Sequence, residues 1–204
     1  LLSVRKIFPN AVIILSTWAG TNVDGLDFDK VIYNKDPGYF YYSKREGEKK
    51  NNVNRQIVST VAGLKACTTE YAFKIRSDFS LTGSNFIDFF DKYPLADKNY
   101  KLFEHKVISC CYFARNPQSN NPYPFHPSDL AFFGKTSDLL KLFDIPLMTE
   151  KDATYNKTKI GLLCKYVPEQ HIFINSLKKN GFNVCCKYYN DNNPKAIEQT
   201  ERYF

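Results

Sequence analysis

A chain of 204 residues, 43% of them apolar, can bury one sizeable core, and no Pro-, Gly- or Ser-rich stretch divides it, so residues 1–204 are expected to form a single domain. The formal charge of +7 suits an anionic partner, but apart from the Lys44-Arg45 and Lys49-Lys50 pairs the basic residues are dispersed; no stripe tracks a phosphate backbone, which argues against nucleic acid. No run approaches the roughly 18 apolar residues that cross a bilayer, and the start at Leu1 and stop at Phe204 read as a fragment cut at both ends.

In chain order, residues 1–8 read as the last turns of a helix, stopped by Pro9-Asn10. Residues 11–18 form a continuous, β-branched apolar run, as expected of a parallel strand buried on both faces, and residues 28–33 a shorter strand ended by the turn at 34–38. From Asn51 the period changes: Val53, Ile57, Val61 and Leu64 recur at helical spacing, which predicts an amphipathic helix over 52–67 with Asn51 or Asn52 as its cap. Strands are then expected at 71–76, 106–114, 130–134 and 184–189, and helices at 86–93, 137–143 and 168–180, the last with Pro168 at its first position. Residues 117–127 hold four prolines and must be a shaped loop. Helix and strand alternating in this way mark an α/β layer fold. The six cysteines, at 67, 110, 111, 164, 185 and 186, include two adjacent pairs and no C-x-x-C spacing, the pattern of buried thiols rather than a zinc site, and free core thiols favour the reducing cytoplasm.

Ligands of open α/β sheets bind outside the carboxyl ends of the strands, which draws attention to Thr17-Trp18, residues 34–36, residues 76–78 and the loop around His126. Asp78, just past a strand, either holds a divalent cation or caps the turn near Thr82-Gly83, and spacing alone does not choose.

Six blocks follow in one order along nearly the whole chain: Ser3-Val4-Arg5-Lys6-Ile7-Phe8-Pro9-Asn10, Ile14-Leu15-Ser16-Thr17-Trp18, Asn51-Asn52-Val53-Asn54-Arg55-Gln56-Ile57, Lys74-Ile75-Arg76-Ser77-Asp78, Pro124-Phe125-His126-Pro127-Ser128-Asp129 and Val167-Pro168-Glu169-Gln170. Together they resemble the WavE lipopolysaccharide-synthesis family, which is similar to the GT-A glycosyltransferases. The resemblance implies an α/β, GT-A-like Rossmann-type domain with a mainly parallel central sheet, whose first strand would precede the helix ending at Phe8 and is lacking in residues 1–204. It also implies sugar transfer from a nucleotide-diphosphate donor to a growing lipopolysaccharide or other glycan acceptor, free or lipid-linked. The setting would be the cytoplasm, with peripheral contact to an anionic membrane.

In the GT-A pattern a helix carrying Arg and Asn precedes a strand that ends in Asp-x-Asp. Residues 51–55 and 74–78 match that order, but Arg76 stands where the first Asp is usual, and Asp78 matches the second. The donor would then be held by Thr17 and Trp18 at the nucleoside, by Asn54 and Arg55 at a helix N-terminus, and by Arg76, Ser77 and Asp78 at the diphosphate. Asp78 would carry a Mn²⁺ or Mg²⁺ ion unless the Arg76 guanidinium takes over its charge. His126 is expected on the acceptor side, and Glu169 or Asp129 as the base that deprotonates the attacking hydroxyl, with inversion favoured. Each has a plainer alternative: Trp18 as packing, Arg55 as a solvated side chain, His126 as a structural hydrogen-bonder and Glu169 as a partner for its helix dipole. The competing functional reading is a GT-A-like module that binds a nucleotide sugar or glycan without turning it over.

Overall fold

The computed structural model describes residues 1–43, 49–93, 97–158 and 161–203, so the Lys44-Arg45 pair lies outside the described residues. Helix α1 (Leu2–Ile7) ends where Pro9-Asn10 predicts. Strand β1 (Ile14–Trp18) pairs in parallel with β2 (Lys30–Asn34), from Ile14 opposite Lys30 to Trp18 opposite Asn34. A small antiparallel hairpin follows, β3 (Phe40–Ser43) with β4 (Lys49–Asn51), which sequence periodicity does not reveal.

Helix α2 (Val53–Lys65) buries Val53, Ile57 and Leu64 as its spacing requires; Asn52 is its N-cap residue without a side-chain cap bond, and the Asn51 side chain before it accepts from the Val53 amide at 3.0 Å. Strand β5 (Tyr71–Ile75) leads through a 3₁₀ turn into the short α3 (Phe89–Lys92). Only Ile108–Ser109 of the predicted 106–114 strand is realised, as β6. Strand β7 (Ala131–Lys135) and α4 (Thr136–Phe143) come next, then α5 (Glu150–Ala153), the hairpin β8 (Asn156–Thr158) with β9 (Gly161–Leu163), α6 (Pro168–Lys179) and α7 (Pro194–Tyr203).

The expected mainly parallel sheet is met only by β1 and β2. The larger sheet has the order β5-β7-β6, and both of its pairings are antiparallel. Gly134 lets the Lys106–Val107 backbone approach β7 closely, since a Cβ there would meet a Val107 methyl at 3.1 Å and the Lys106 carbonyl at 3.2 Å. The expected strand at 184–189 does not form, because side chains take the place of a ladder. Cys185 donates its amide to Gln199, Lys187 donates to Asp191, and the Cys186 carbonyl accepts from the Tyr166 hydroxyl.

Among the described residues β1 is bonded only to β2, and β5 only to β7. Helix α2 packs on β1 and β2, α4 packs on β5 and β7, and the two helices pack on each other, so one helical layer spans both sheets. On the other side Phe8 meets Phe86 edge to face, and Phe86 stacks on Phe73 of β5 with ring centroids 4.8 Å apart. The core below gathers Val53, Ile57, Phe132, Leu139, Leu142, Phe143, Ile174 and Leu177. All six cysteines are free, but burial is uneven: Cys164 and Cys186 are buried and Cys111 is exposed. No helix among the described residues is long and apolar enough to cross a membrane.

Candidate active site

The site is organised by residues 124–130, a loop buried along its whole length. Phe125 lies in the left-handed region at φ 56°, a conformation costing a non-glycine residue about 1–3 kcal/mol that persists only when its surroundings impose it. They do so here. The Phe125 amide donates to the Thr200 hydroxyl of α7 at 3.0 Å, and its ring is fully buried among Phe173 and Tyr203. The next residue, His126, is thereby turned toward the start of α6.

Three further elements hold the same loop. Gln170, one residue after Glu169, donates to the Pro124 carbonyl at 2.6 Å and to the Tyr189 carbonyl at 2.8 Å, while its side-chain oxygen accepts from the Val167 amide. At the other end the Asp129 carbonyl accepts from Lys74 of β5 and Gln56 of α2, at 2.5 and 3.2 Å. Lys74 reaches it between the Phe132 and Phe143 rings, and burial pushes its ammonium down to about 8.

These restraints bring Glu169 and His126 together, with Oε2 and Nε2 3.5 Å apart. A charged ion pair would require protonated His126 and ionised Glu169 at once, and burial opposes both. It pushes the Glu169 carboxyl up to about 7, helped by the negative charge of Asp129, and the His126 imidazole down to about 4. Near neutral pH the pair is therefore an uncharged imidazole beside a carboxyl at its titration midpoint. His126 Nδ1 is buried with no hydrogen-bond partner. Arg115 and Arg76 pull the Glu169 value the other way, so two guanidinium groups act on this carboxyl.

Arg76 and Asp78 lie at the mouth, both largely exposed. Asp78 does not project alone from its strand end: Arg76 donates to both of its oxygens, at 3.0 and 2.8 Å, and holds its carboxyl below the usual range. No three His, Cys, Asp or Glu residues come together as a metal cluster among the described residues. Asp78 thus offers the expected cation one carboxylate already occupied by a cationic side chain, which is a poor fit to a prepared metal site. Ser77 between them is exposed.

The other expected donor residues form a separate group around β1 and β2. Thr17 and Trp18 end β1, and the Asn34 side chain ties the pair together through the Ser16 hydroxyl and the Thr17 carbonyl. Arg55 is paired with Asp36 through two bonds of 2.8 and 2.5 Å and lies over the Tyr39 ring, so it is not a free solvated group. No hydrogen bond or ion pair among the described residues joins Thr17, Trp18 or Arg55 directly to Asp129 or Glu169. Asn54 departs from expectation altogether. It is buried, its amide donates to the Met148 carbonyl at 3.0 Å and its oxygen accepts from the Met148 amide at 2.7 Å, so its polar groups are spent inside the protein. A cavity of about 320 Å³ lined by Lys65, Lys141, Asp144 and Lys179 lies elsewhere; it offers no base beyond Asp144, which Lys179 already engages.

Sequence reasoning gave no role to Lys74, Arg115, Tyr123 or Tyr189. Lys74 stood within a recognised block, whereas Arg115 sits in irregular chain where no periodicity marks it. Chemically, the arrangement supplies a carboxyl poised to exchange a proton near neutrality, with guanidinium groups near enough to receive negative charge.

The model of the family described as WavE lipopolysaccharide synthesis matches residues 1–196. The chain belongs to the WavE family. That membership puts this WavE protein in lipopolysaccharide synthesis, and the match includes Arg76, Asp78, Arg115, His126, Asp129 and Glu169. No individual curated protein and no solved structure matches it.

Proposed function

We propose that this WavE protein is a glycosyltransferase that moves a sugar from a nucleotide-diphosphate donor to a lipopolysaccharide or related glycan acceptor, with Glu169 as its base. The observation that carries the reading is the Glu169 carboxyl, raised to about 7 beside neutral His126, because a base works best when its pKa lies near the working pH. In the reaction Glu169 accepts the proton of the acceptor hydroxyl. The hydroxyl oxygen attacks the anomeric carbon, the bond to the diphosphate breaks, and Arg76 turns from Asp78 to receive the charge of the leaving phosphate. One direct displacement inverts the anomeric centre. Asp129 raises Glu169 by its charge and is the second candidate base, while His126 lines the acceptor side.

Thr17, Trp18 and Arg55 would contact the nucleoside and its phosphates, with Ser77 beside them. This GT-A-like reading is supported by the parallel β1–β2 pair, α2, and a strand followed directly by Arg-Ser-Asp. A Mn²⁺ or Mg²⁺ ion arriving on the diphosphate would supply further charge neutralisation at Asp78, but the paired carboxylate makes Arg76 the better supported source. The setting proposed is the cytoplasm, where nucleotide sugars are made and a lipid-linked acceptor brings the enzyme to the membrane surface.

Hydrolysis or transfer with a panel of UDP-, GDP- and dTDP-sugars tests the proposal. Turnover of at least one donor, cut steeply in Glu169→Gln, is expected. Tight donor binding with no turnover would replace it with the binding-module reading.

A further inference from the structure

Beside the Glu169–His126 pair lies a group of side chains that the reaction does not use. Tyr123 meets the His126 ring edge to face with centroids 5.8 Å apart, and lies 5.6 Å from Tyr189 at an interplanar angle of 50°. Both tyrosines are half-buried, leaving part of each ring open. The Arg115 guanidinium sits 5.9 Å from the Tyr123 ring centre, and the Arg115 amide donates to the His126 carbonyl at 3.2 Å, which fixes the backbone that carries it. The adjoining turn is anchored at Asn116, whose side chain accepts from the Gln118 amide, and Gln118 donates to Glu201 of α7.

Arg115 differs from the other described arginines. Arg5, Arg55, Arg76 and Arg202 each hold a carboxylate in an ion pair, and Arg115 holds none among the described residues. It is exposed, faces an aromatic ring, and lies close enough to Glu169 and His126 to act on both electrostatically. A guanidinium kept without a carboxylate partner, on a fixed backbone at the rim of a site, is free to bind an anion bidentately. Tyrosine rings beside it suit the C–H faces of a sugar, burying apolar surface while their hydroxyls remain at the polar edge.

We infer that Arg115, Tyr123 and Tyr189 form an acceptor subsite for a negatively charged sugar, the tyrosines holding the ring and Arg115 its carboxylate or phosphate. This deepens the glycosyltransferase reading and rests on it for the word acceptor, but the binding itself needs neither donor nor turnover. The charged group would be held beside Glu169, leaving a neighbouring hydroxyl of the same glycan to meet the base.

The test uses nucleotide-free protein and four probes: glucose, glucuronic acid, glucose 6-phosphate and inorganic phosphate, followed by NMR of the protein at increasing NaCl. At least one acidic sugar should bind about tenfold more tightly than glucose, and salt should erode that preference. The preference should vanish in Arg115→Gln and survive in part in Arg115→Lys, while Tyr123→Ala should weaken all three sugars. Which acid is preferred distinguishes a carboxylate from a phosphate acceptor. Equal binding of glucose and both acids overturns the inference, as does inorganic phosphate binding as tightly as glucose 6-phosphate, which would leave an anion site without a sugar. Because no donor is present, failure of donor turnover leaves this result standing, and equal binding of glucose and both acids by the wild-type protein leaves the Glu169 reading standing.

Discussion

Replacing Glu169 by Gln should cut turnover steeply and at the same time stabilise the protein at alkaline pH. The folded carboxyl titrates at about 7, against an ordinary value of 4.5. Between those values the folded state binds more protons than the unfolded one, so stability falls as pH rises through this window and is lowest above 7. At 1.36 kcal/mol per pH unit the cost of ionising Glu169 in place amounts to about 3 kcal/mol. Gln keeps the shape and never ionises. Urea denaturation should therefore show the variant and wild type nearly equal at pH 4 and the variant more stable by up to about 3 kcal/mol at pH 8. Turnover should drop by roughly a hundred- to ten-thousandfold, and the wild-type kcat should rise through pH 7 to a plateau. Equal stability of the two proteins at pH 8 would refute a buried, costly carboxylate. A loss of only a few fold in kcat would refute its use as the base.

Other substitutions separate structure from chemistry. If Arg76 carries the leaving-group charge, donor turnover should persist in EDTA and fall at least tenfold in Arg76→Gln, a loss of about 1.4 kcal/mol in transition-state stabilisation; abolition by EDTA with restoration by Mn²⁺ would transfer that task to a metal. Asn54→Ala leaves both backbone groups of Met148 buried and unpaired, so chemical denaturation should show a loss of about 2–4 kcal/mol, with the donor KM of the surviving folded protein unchanged. Lys74 titrates at about 8 when folded and at an ordinary 10.5 when unfolded, so stability rises with pH between these values. Relative to Lys74→Met, wild type should therefore gain about 2 kcal/mol between pH 8 and 9.5, and a gap that stays constant would mean that the ammonium is solvated.

Much of the framework was legible because it rests on local periodicity. The apolar run of β1, the three- and four-residue spacing of α2, and Pro168 at the start of α6 all specify their elements without help from distant residues. Strand direction has no such local signature: β7 reads as a strand from its apolar content, but its antiparallel entry beside β5 depends on the path of the chain between residues 76 and 130. The site divides along the same line. Arg76, Asp78, His126, Asp129 and Glu169 stand at strand ends, a helix start or a proline-bounded loop, positions where sequence alone suggests exposure to a ligand. Asn54 sits at an equally suggestive helix start, and its true partner is 94 residues away. Arg115 is invisible for the opposite reason, since the role inferred for it rests on the carboxylate partner that it lacks among the described residues.

Thr200 gives helix α7 a second office besides covering the core. By accepting from Phe125 it helps to keep one residue in a conformation that the loop would not choose unaided, and that residue aims His126 at Glu169. Folding and competence can then come apart. A chain trimmed before α7 would keep β1, α2, β5 and most of the buried cluster, yet its loop would be free to relax and the imidazole to swing from the carboxyl. Circular dichroism would report a nearly intact protein while the pH profile lost its inflection near 7, so that a damaged molecule would pass for a sound one.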